Sequence, residues 1–235
     1  MNMKVDIWSD IRCPFCYIGK RKFETALENF VQNEQVEVVW HSFQLDPELK
    51  TQPEIDVYDY LASRKGQSRE WSIQMHQQVE ETARQVGLTF NTEQSVVANS
   101  FNAHRLIQMA KKSGLGDMAE EALFKAYFTD GKNIDDETTL LEIGLSIGLD
   151  ATAVKEMLAS DAYSVEVQQD EHQAQNLGVR GVPFFVFNNK YGLSGAQDPE
   201  IFLQALQQSW QEFEQTQVKP FNNSNTAACS IDGNC

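Results

Sequence analysis

The chain has 235 residues, 41% hydrophobic and 10% aromatic, enough for a sizeable core in one large domain or in one domain carrying an insertion. Its 34 acidic against 19 basic residues leave a formal charge of −15, which argues against a general attraction to DNA, RNA or an anionic membrane surface. No stretch approaches the roughly 20 apolar residues of a membrane span, and the opening ten residues lack the apolar run of about 7–15 residues of a secretory signal. The default expectation is therefore a cytoplasmic location, where structural disulfides are rare and a CxxC is more often catalytic or metal-binding.

Val5-Asp6-Ile7-Trp8-Ser9 alternates like a half-buried strand. Cys13-Pro14-Phe15-Cys16 follows, ahead of a helical run in which Phe23, Ala26, Leu27 and Phe30 recur at helical spacing. Two thiols so spaced on a first helical turn can close into a disulfide, and the helix N-terminus supplies partial positive charge that favours a thiolate. Cys13 is expected to be the exposed nucleophile and Cys16, one turn further in, the resolving thiol. Pro14 suits the first turn because no backbone donor is needed there. Asp10, three residues before Cys13, is expected to satisfy backbone donors in the turn rather than to act on the thiol. Val36 to Phe43 has the β-branched and aromatic bias of a second strand, completing a βαβ unit with a right-handed crossover. His41, beside Trp40, reads as structural.

After Leu45-Asp46-Pro47 the pattern turns helical for more than a hundred residues. Helices are expected near Val57–Arg64, Arg69–Val86, Ser95–Ser113, Gly116–Thr129, Asp136–Ile147 and Thr152–Ala159, an all-helical insertion. His104 and Arg105 read as a surface or capping pair holding the insertion to the rest, in preference to proton transfer. His76 and His172 fall on polar helical faces. Strand character returns at Val182-Pro183-Phe184-Phe185-Val186-Phe187, then Asn188-Asn189 and Lys190-Tyr191-Gly192-Leu193, a hairpin. Pro183 removes a ladder hydrogen bond, so it belongs at a strand start, a bulge or a cis peptide. Asp198-Pro199-Glu200 opens a last helix carrying Ile201, Phe202, Leu206 and Phe213 inward. From about Val218 the tail is polar.

That tail holds Cys229 and Cys235. A zinc site with Cys13 and Cys16 is disfavoured, because zinc sites usually pair two short-spaced knuckles. Either the tail pair is without role, or it exchanges electrons with Cys13 and Cys16. Reach is no obstacle to exchange, since the stretch from Val218 to Cys229 spans up to ~35 Å when extended.

Cys13-Pro14-Phe15-Cys16-Tyr17, Asn99 followed by Ala103-His104-Arg105-Leu106, Val179-Arg180-Gly181-Val182-Pro183-Phe184-Phe185 and Ser194-Gly195-Ala196-Gln197 together resemble the DsbA-like branch of the thioredoxin superfamily, and within it the FrnE group, over residues 3 to 215. The resemblance implies an α/β, thioredoxin-like fold with a large all-helical insertion. Residues 1–45 and 162–217 would form the thioredoxin-like domain, 46–161 the insertion and 218–235 the tail. It implies Cys13 as nucleophile, Cys16 as resolving cysteine and Pro183 as cis-proline. Val182 would dock an extended substrate by β-augmentation, with Pro14 and Phe15 completing the substrate surface.

The implied activity is thiol–disulfide exchange on a disulfide-containing protein or a small thiol such as glutathione, with no metal or other cofactor, by a monomer or homodimer. Related kappa glutathione transferases and 2-hydroxychromene-2-carboxylate isomerases typically carry Ser at the position of Cys13, so both cysteines here favour redox chemistry. A glutathione-linked transferase or isomerase, and a polypeptide-binding chaperone-like module, are the alternatives. DsbA has a His between its cysteines where this chain has Phe15, which implies a less oxidising pair.

Overall fold

The structure, a computed structural model, describes residues 2–216. Strand β1 (Met3–Ser9), helix α1 (Pro14–Glu28) and strand β2 (Val36–Ser42) form the βαβ unit, with β1 and β2 parallel from Met3 opposite Val36 to Ser9 opposite Ser42. Strands β3 (Phe184–Phe187) and β4 (Tyr191–Ser194) add antiparallel, giving the order β2-β1-β3-β4. Asn188 and Asn189 have φ of 50° and 54°, and the Lys190 N–H donates to the Phe187 carbonyl at 3.0 Å. That is a type I′ turn, whose twist matches the paired strands, and Asn tolerates its left-handed backbone.

Strand β1 is buried on both faces rather than half-buried. Met3, Val5 and Ile7 pack with Phe23, Phe185, Phe187, Phe202 and Leu206, a core shared with α1 and the last helix, α9 (Pro199–Thr216). Its other face, with Asp6 and Trp8, lies under α8 (Ser164–Asn176), where Trp8 Nε1 donates to the Asp170 carbonyl at 3.0 Å. Sequence periodicity did not place α8. Its buried stripe is only Val167, Asp170 and Ala174, one of them a carboxylate, so it carries little apolar signal.

Asp6 can be buried because His41 answers it. His41 Nε2 lies 2.6 Å from Asp6 Oδ1 and Nδ1 lies 2.7 Å from Asp170 Oδ1, while the ring stacks on Trp8 at 4.5 Å. Asp170 Oδ2 accepts the Ser42 N–H at 2.9 Å, and Lys4 Nζ sits 2.6 Å from Asp6. With a carboxylate at each nitrogen the ring must donate from both, so it is an imidazolium. Burial opposes that charge, but the two carboxylates outweigh it and raise the His41 pKa.

Between β2 and β3 run α2 (Val57–Lys65), α3 (Arg69–Gln85), α4 (Phe101–Lys111), α5 (Gly116–Phe124), α6 (Glu137–Ser146) and α7 (Ala151–Leu158). Asp56, Ser68, Asp136 and Asp150 cap four of these helices at their N-termini through side-chain oxygens. Helix α5 continues into a π-helical turn over Lys125–Thr129. The expected helix from Ser95 begins only at Phe101. Val97 bridges to Gln52, and the Asn99 side-chain oxygen accepts the Phe101 N–H at 2.7 Å, holding the preceding residues non-helical. Ile201, expected inward, is exposed, because the buried stripe of α9 runs through Phe202, Leu206, Ser209 and Trp210.

His104 and Arg105 are buried, not superficial. Arg105 caps the end of α7, donating from Nε to the Ala162 carbonyl at 2.8 Å and from Nη2 to the carbonyls of Met157 and Ser160. Arg105→Met would strand these acceptors. We expect a stability loss of about 2–4 kcal/mol, read as a lower denaturant midpoint at unchanged slope.

Candidate active site

The start of α1 follows directly from the sequence. Cys13 is the N-cap residue, in extended backbone (φ −91°, ψ 111°), and Pro14 opens the helix. The Cys13 N–H donates to the Asp10 carbonyl at 2.9 Å, and no side chain caps the first turn. The unshared positive end of the helix is therefore left to the Cys13 sulfur. The Asp10 carboxylate accepts the Arg12 N–H at 3.1 Å and the Leu45 N–H at 2.8 Å, as expected of a residue that organises the turn.

Pro183 follows a cis peptide bond from Val182, and the Cys13 thiol donates to the Val182 carbonyl at 3.5 Å. Cys13, Cys16, Val182 and Pro183 thus meet at one end of the sheet, with Pro14 and Phe15 on the rim. Gly19 permits the meeting: a Cβ there would stand 3.0 Å from Pro183 Cγ. Sequence reasoning missed Gly19, because only the tertiary contact gives that position meaning.

Cys13 is not the exposed nucleophile that was expected. It is 4% exposed and Cys16 1%, both as free thiols, whereas Phe15 between them is 46% exposed. The helical segment's core explains this, since Ile11, Cys13, Cys16, Tyr17 and Ile18 pack into the same cluster as Leu106, Leu123 and Phe124. Tyr17 stacks on Phe124 at 4.8 Å. Burial and the adjacent Cys13 push the Cys16 thiol well above its ordinary pKa.

A second group of buried polar side chains, also missed from sequence, lies beneath the thiols. Lys20, buried in α1, pairs with Glu24, with Asp117 Oδ1 at 3.2 Å and with Glu121 Oε2 at 3.4 Å, docking α5 against α1. That docking buries Glu120 beside Ser9, and the Ser9 hydroxyl also lies beside Cys16. Ser9 Oγ and Glu120 Oε1 have no hydrogen-bond partner among the described residues. Burial pushes the Glu120 carboxyl up to about 7. Buried His104 Nε2 sits 3.6 Å from Asp10 Oδ1, an ion-pair separation too long for a direct hydrogen bond. Burial disfavours the His104 cation, but the Asp10 charge outweighs it and raises its pKa, while Asp10 itself is lowered. A signal for Glu120 did exist: it sits one residue after Ala119 and three before Leu123, inside the apolar stripe of α5.

Cys229 and Cys235 lie outside the described residues. Among the described residues no cluster of three or more His, Cys, Asp or Glu could hold a metal ion, and no helix is long and apolar enough to cross a membrane.

A four-stranded mixed sheet, a helix-start dithiol, a cis-proline facing it and helices inserted between β2 and β3 define a thioredoxin-fold protein of the helical-insertion kind. More particularly, a DsbA-like thioredoxin domain model matches residues 4–207, and the chain belongs to that family. It is similar to a probable DsbA oxidoreductase from Streptomyces coelicolor, 39% identical, with 99% of this chain and 98% of that one covered at a TM-score of 0.85. The YwbO protein of Bacillus subtilis (strain 168) is 26% identical over 209 residues, 88% of this chain and 96% of that protein. The cytosolic disulfide reductase DsbM from Pseudomonas aeruginosa, in its structure with GSH, is 18% identical and shares the fold at a TM-score of 0.59, over 90% of this chain and 98% of that one.

Proposed function

We propose that the protein is a cytoplasmic thiol–disulfide oxidoreductase that cycles Cys13 and Cys16, acting on a disulfide-containing protein or a small disulfide such as that of glutathione. The observation that carries this reading is the Cys13 thiol at an uncapped helix start, 3.5 Å from the Val182 carbonyl that precedes cis-Pro183. The Cys13 thiolate attacks one sulfur of the substrate disulfide, the S–S bond breaks, and the first substrate thiolate leaves. The Cys16 thiolate then attacks Cys13 Sγ, closes the Cys13–Cys16 disulfide and releases the second. Two electrons pass from the dithiol to the substrate, and the two protons of the dithiol end on the released thiols.

For the second step Cys16 must lose a proton that burial holds on it. Ser9 and Glu120 are the groups placed to take it, and a carboxyl pushed up to about 7 can both accept and return a proton near neutrality. The helical segment, residues 46–161 in this reading, caps the site, and Val182 offers backbone to an extended substrate.

Cys16→Ser separates the two steps. It leaves the attacking thiol and removes the resolving one, so incubation with oxidised glutathione is expected to leave a stable adduct on Cys13, found by peptide mass spectrometry. With Cys229→Ser/Cys235→Ser as background, absence of an adduct on Cys13 would overturn its assignment as nucleophile.

A further inference from the structure

Beside Pro14 and Phe15 lies a cavity of about 350 Å³, walled by α2, α3, the segment around Phe90 to Val97 and the π-helical turn. Trp71, Phe90, Tyr127 and Phe128 contribute its aromatic walls, with the Phe90 and Phe128 rings stacked at 4.6 Å. The volume is at the low end of the ~300–1,000 Å³ typical of small-molecule sites. It holds one or two rings and no folded segment.

The charge of the lining runs against that of the chain. The sequence has 34 acidic residues, yet none lines this cavity, while Arg12, Lys65 and His76 do. Arg12 is the informative one. Its Nε is buried and has no hydrogen-bond partner among the described residues; its Nη2 reaches the Tyr60 hydroxyl at 3.3 Å, and the Tyr127 hydroxyl and the Asp10 carboxylate lie near enough to favour its charge without filling that donor. A guanidinium cannot discard its charge, and a buried donor left unpaired is costly, so an anion entering here gains a charge-assisted hydrogen bond that the resting protein lacks.

We propose that this cavity binds a small, flat, apolar molecule carrying a single anionic group, with its rings among Trp71, Phe90 and Phe128 and its anion on Arg12, flanked by Lys65. Binding stands independently of the oxidoreductase reading. Only its consequence rests on that reading: an aromatic disulfide with a carboxylate is a preferred substrate, because the ring bound beside Pro14 and Phe15 sets its disulfide against Cys13. The Cys13 thiolate displaces one aryl thiolate and Cys16 displaces the second, so one disulfide is reduced as one dithiol is oxidised.

Two pairs of probes test this on the reduced full-length chain. Calorimetry compares naphthoate with uncharged naphthamide, and single turnover of the pre-reduced chain freed of reductant, with Cys229→Ser/Cys235→Ser as background, compares dithiobis(nitrobenzoate) with uncharged dithiodipyridine. Naphthoate is expected to bind about 10-fold or more tightly than the amide. Arg12→Gln is expected to erase that preference and Arg12→Lys to restore part of it, while Val79→Trp, which fills the cavity, blocks both ligands. Should Arg12→Gln fail to fold, exposed Lys65→Gln narrows the preference without touching the core.

Equal affinity for acid and amide, binding untouched by Val79→Trp, or displacement of naphthoate only by an apolar peptide would overturn the proposal. Naphthoate binding without turnover of either disulfide leaves the cavity assignment standing and sinks the redox reading. Equal turnover of both disulfides without naphthoate binding does the reverse.

Discussion

Replacing Cys13 by Ser is expected to lower insulin-disulfide reduction by roughly three orders of magnitude or more, to the rate of the reductant alone. A hydroxyl at this position keeps the helix-start geometry and the Val182 contact but is not ionised at neutral pH, so the first bond-forming step is lost. Folding should be intact, because Ser fits the N-cap position at least as well as Cys. Run in parallel on Cys229→Ser/Cys235→Ser, the same assay separates the tail from the central pair. If the tail pair exchanges electrons with Cys13 and Cys16, its loss slows turnover of insulin while leaving thiol attack by Cys13 unchanged. Residual turnover in Cys13→Ser close to that of the native chain would show that the chemistry lies elsewhere.

His41→Gln is expected to have the largest effect on stability. It removes the cation held between Asp6 and Asp170, leaving two buried carboxylates with only Lys4, Lys111 and neutral donors. Breaking a buried pair in this way costs about 3–5 kcal/mol, and for a chain of this size at least 3 kcal/mol lowers Tm by roughly 6–12 °C.

The same site gives stability a pH dependence with a definite sign. The His41 pKa is raised by folding from an ordinary value near ~6.5, so its contribution is complete below that pH and is lost as pH rises through the raised value. Burial pushes Asp6 and Asp170 up, but their partners, His41 foremost, outweigh it and lower both; their contribution is complete above ~4 and is lost as pH falls through the lowered values. The native chain should therefore be most stable between about pH 4.5 and 6.5 and lose Tm toward pH 9. His41→Gln should remove part of that alkaline loss. The remainder of the alkaline loss belongs to His104, also raised; Glu120, whose buried carboxyl is pushed up to about 7, loses its contribution earlier, between about pH 4.5 and 7, and so tilts the maximum toward its acid side. An unchanged alkaline slope in His41→Gln would contradict the imidazolium assignment.

What could be read in the sequence was whatever local chemistry writes into neighbouring residues. The strands, the helix start at Cys13-Pro14, the Asn188-Asn189 turn and the acidic or Ser caps of the inserted helices each depend on a few adjacent side chains. Pro183 was legible as an irregularity, and its place beside Cys13, most of the chain away, came from the family resemblance and not from any local pattern. Helix α8 was lost because its buried stripe includes Asp170, which reads as polar until His41 is set against it. Ser9, Arg12 and Gly19 were invisible for the same reason, since each acquires its meaning from a residue brought to it by folding, whereas Glu120 left a trace in the apolar stripe of α5. The expected exposure of Cys13 failed differently: a helix start is ordinarily open, and here the inserted helices close over it.

Gly19 also brings α1 close against Pro183, so the thiol and the carbonyl facing it are held together and anchored through the sheet. The opposite wall is less tightly packed, since α2 and α3 line the cavity with half-buried or exposed side chains such as Leu61, Lys65 and Val79. Under the proposed function, room for a bulkier substrate lies on that side, and the reactive sulfur keeps its aim.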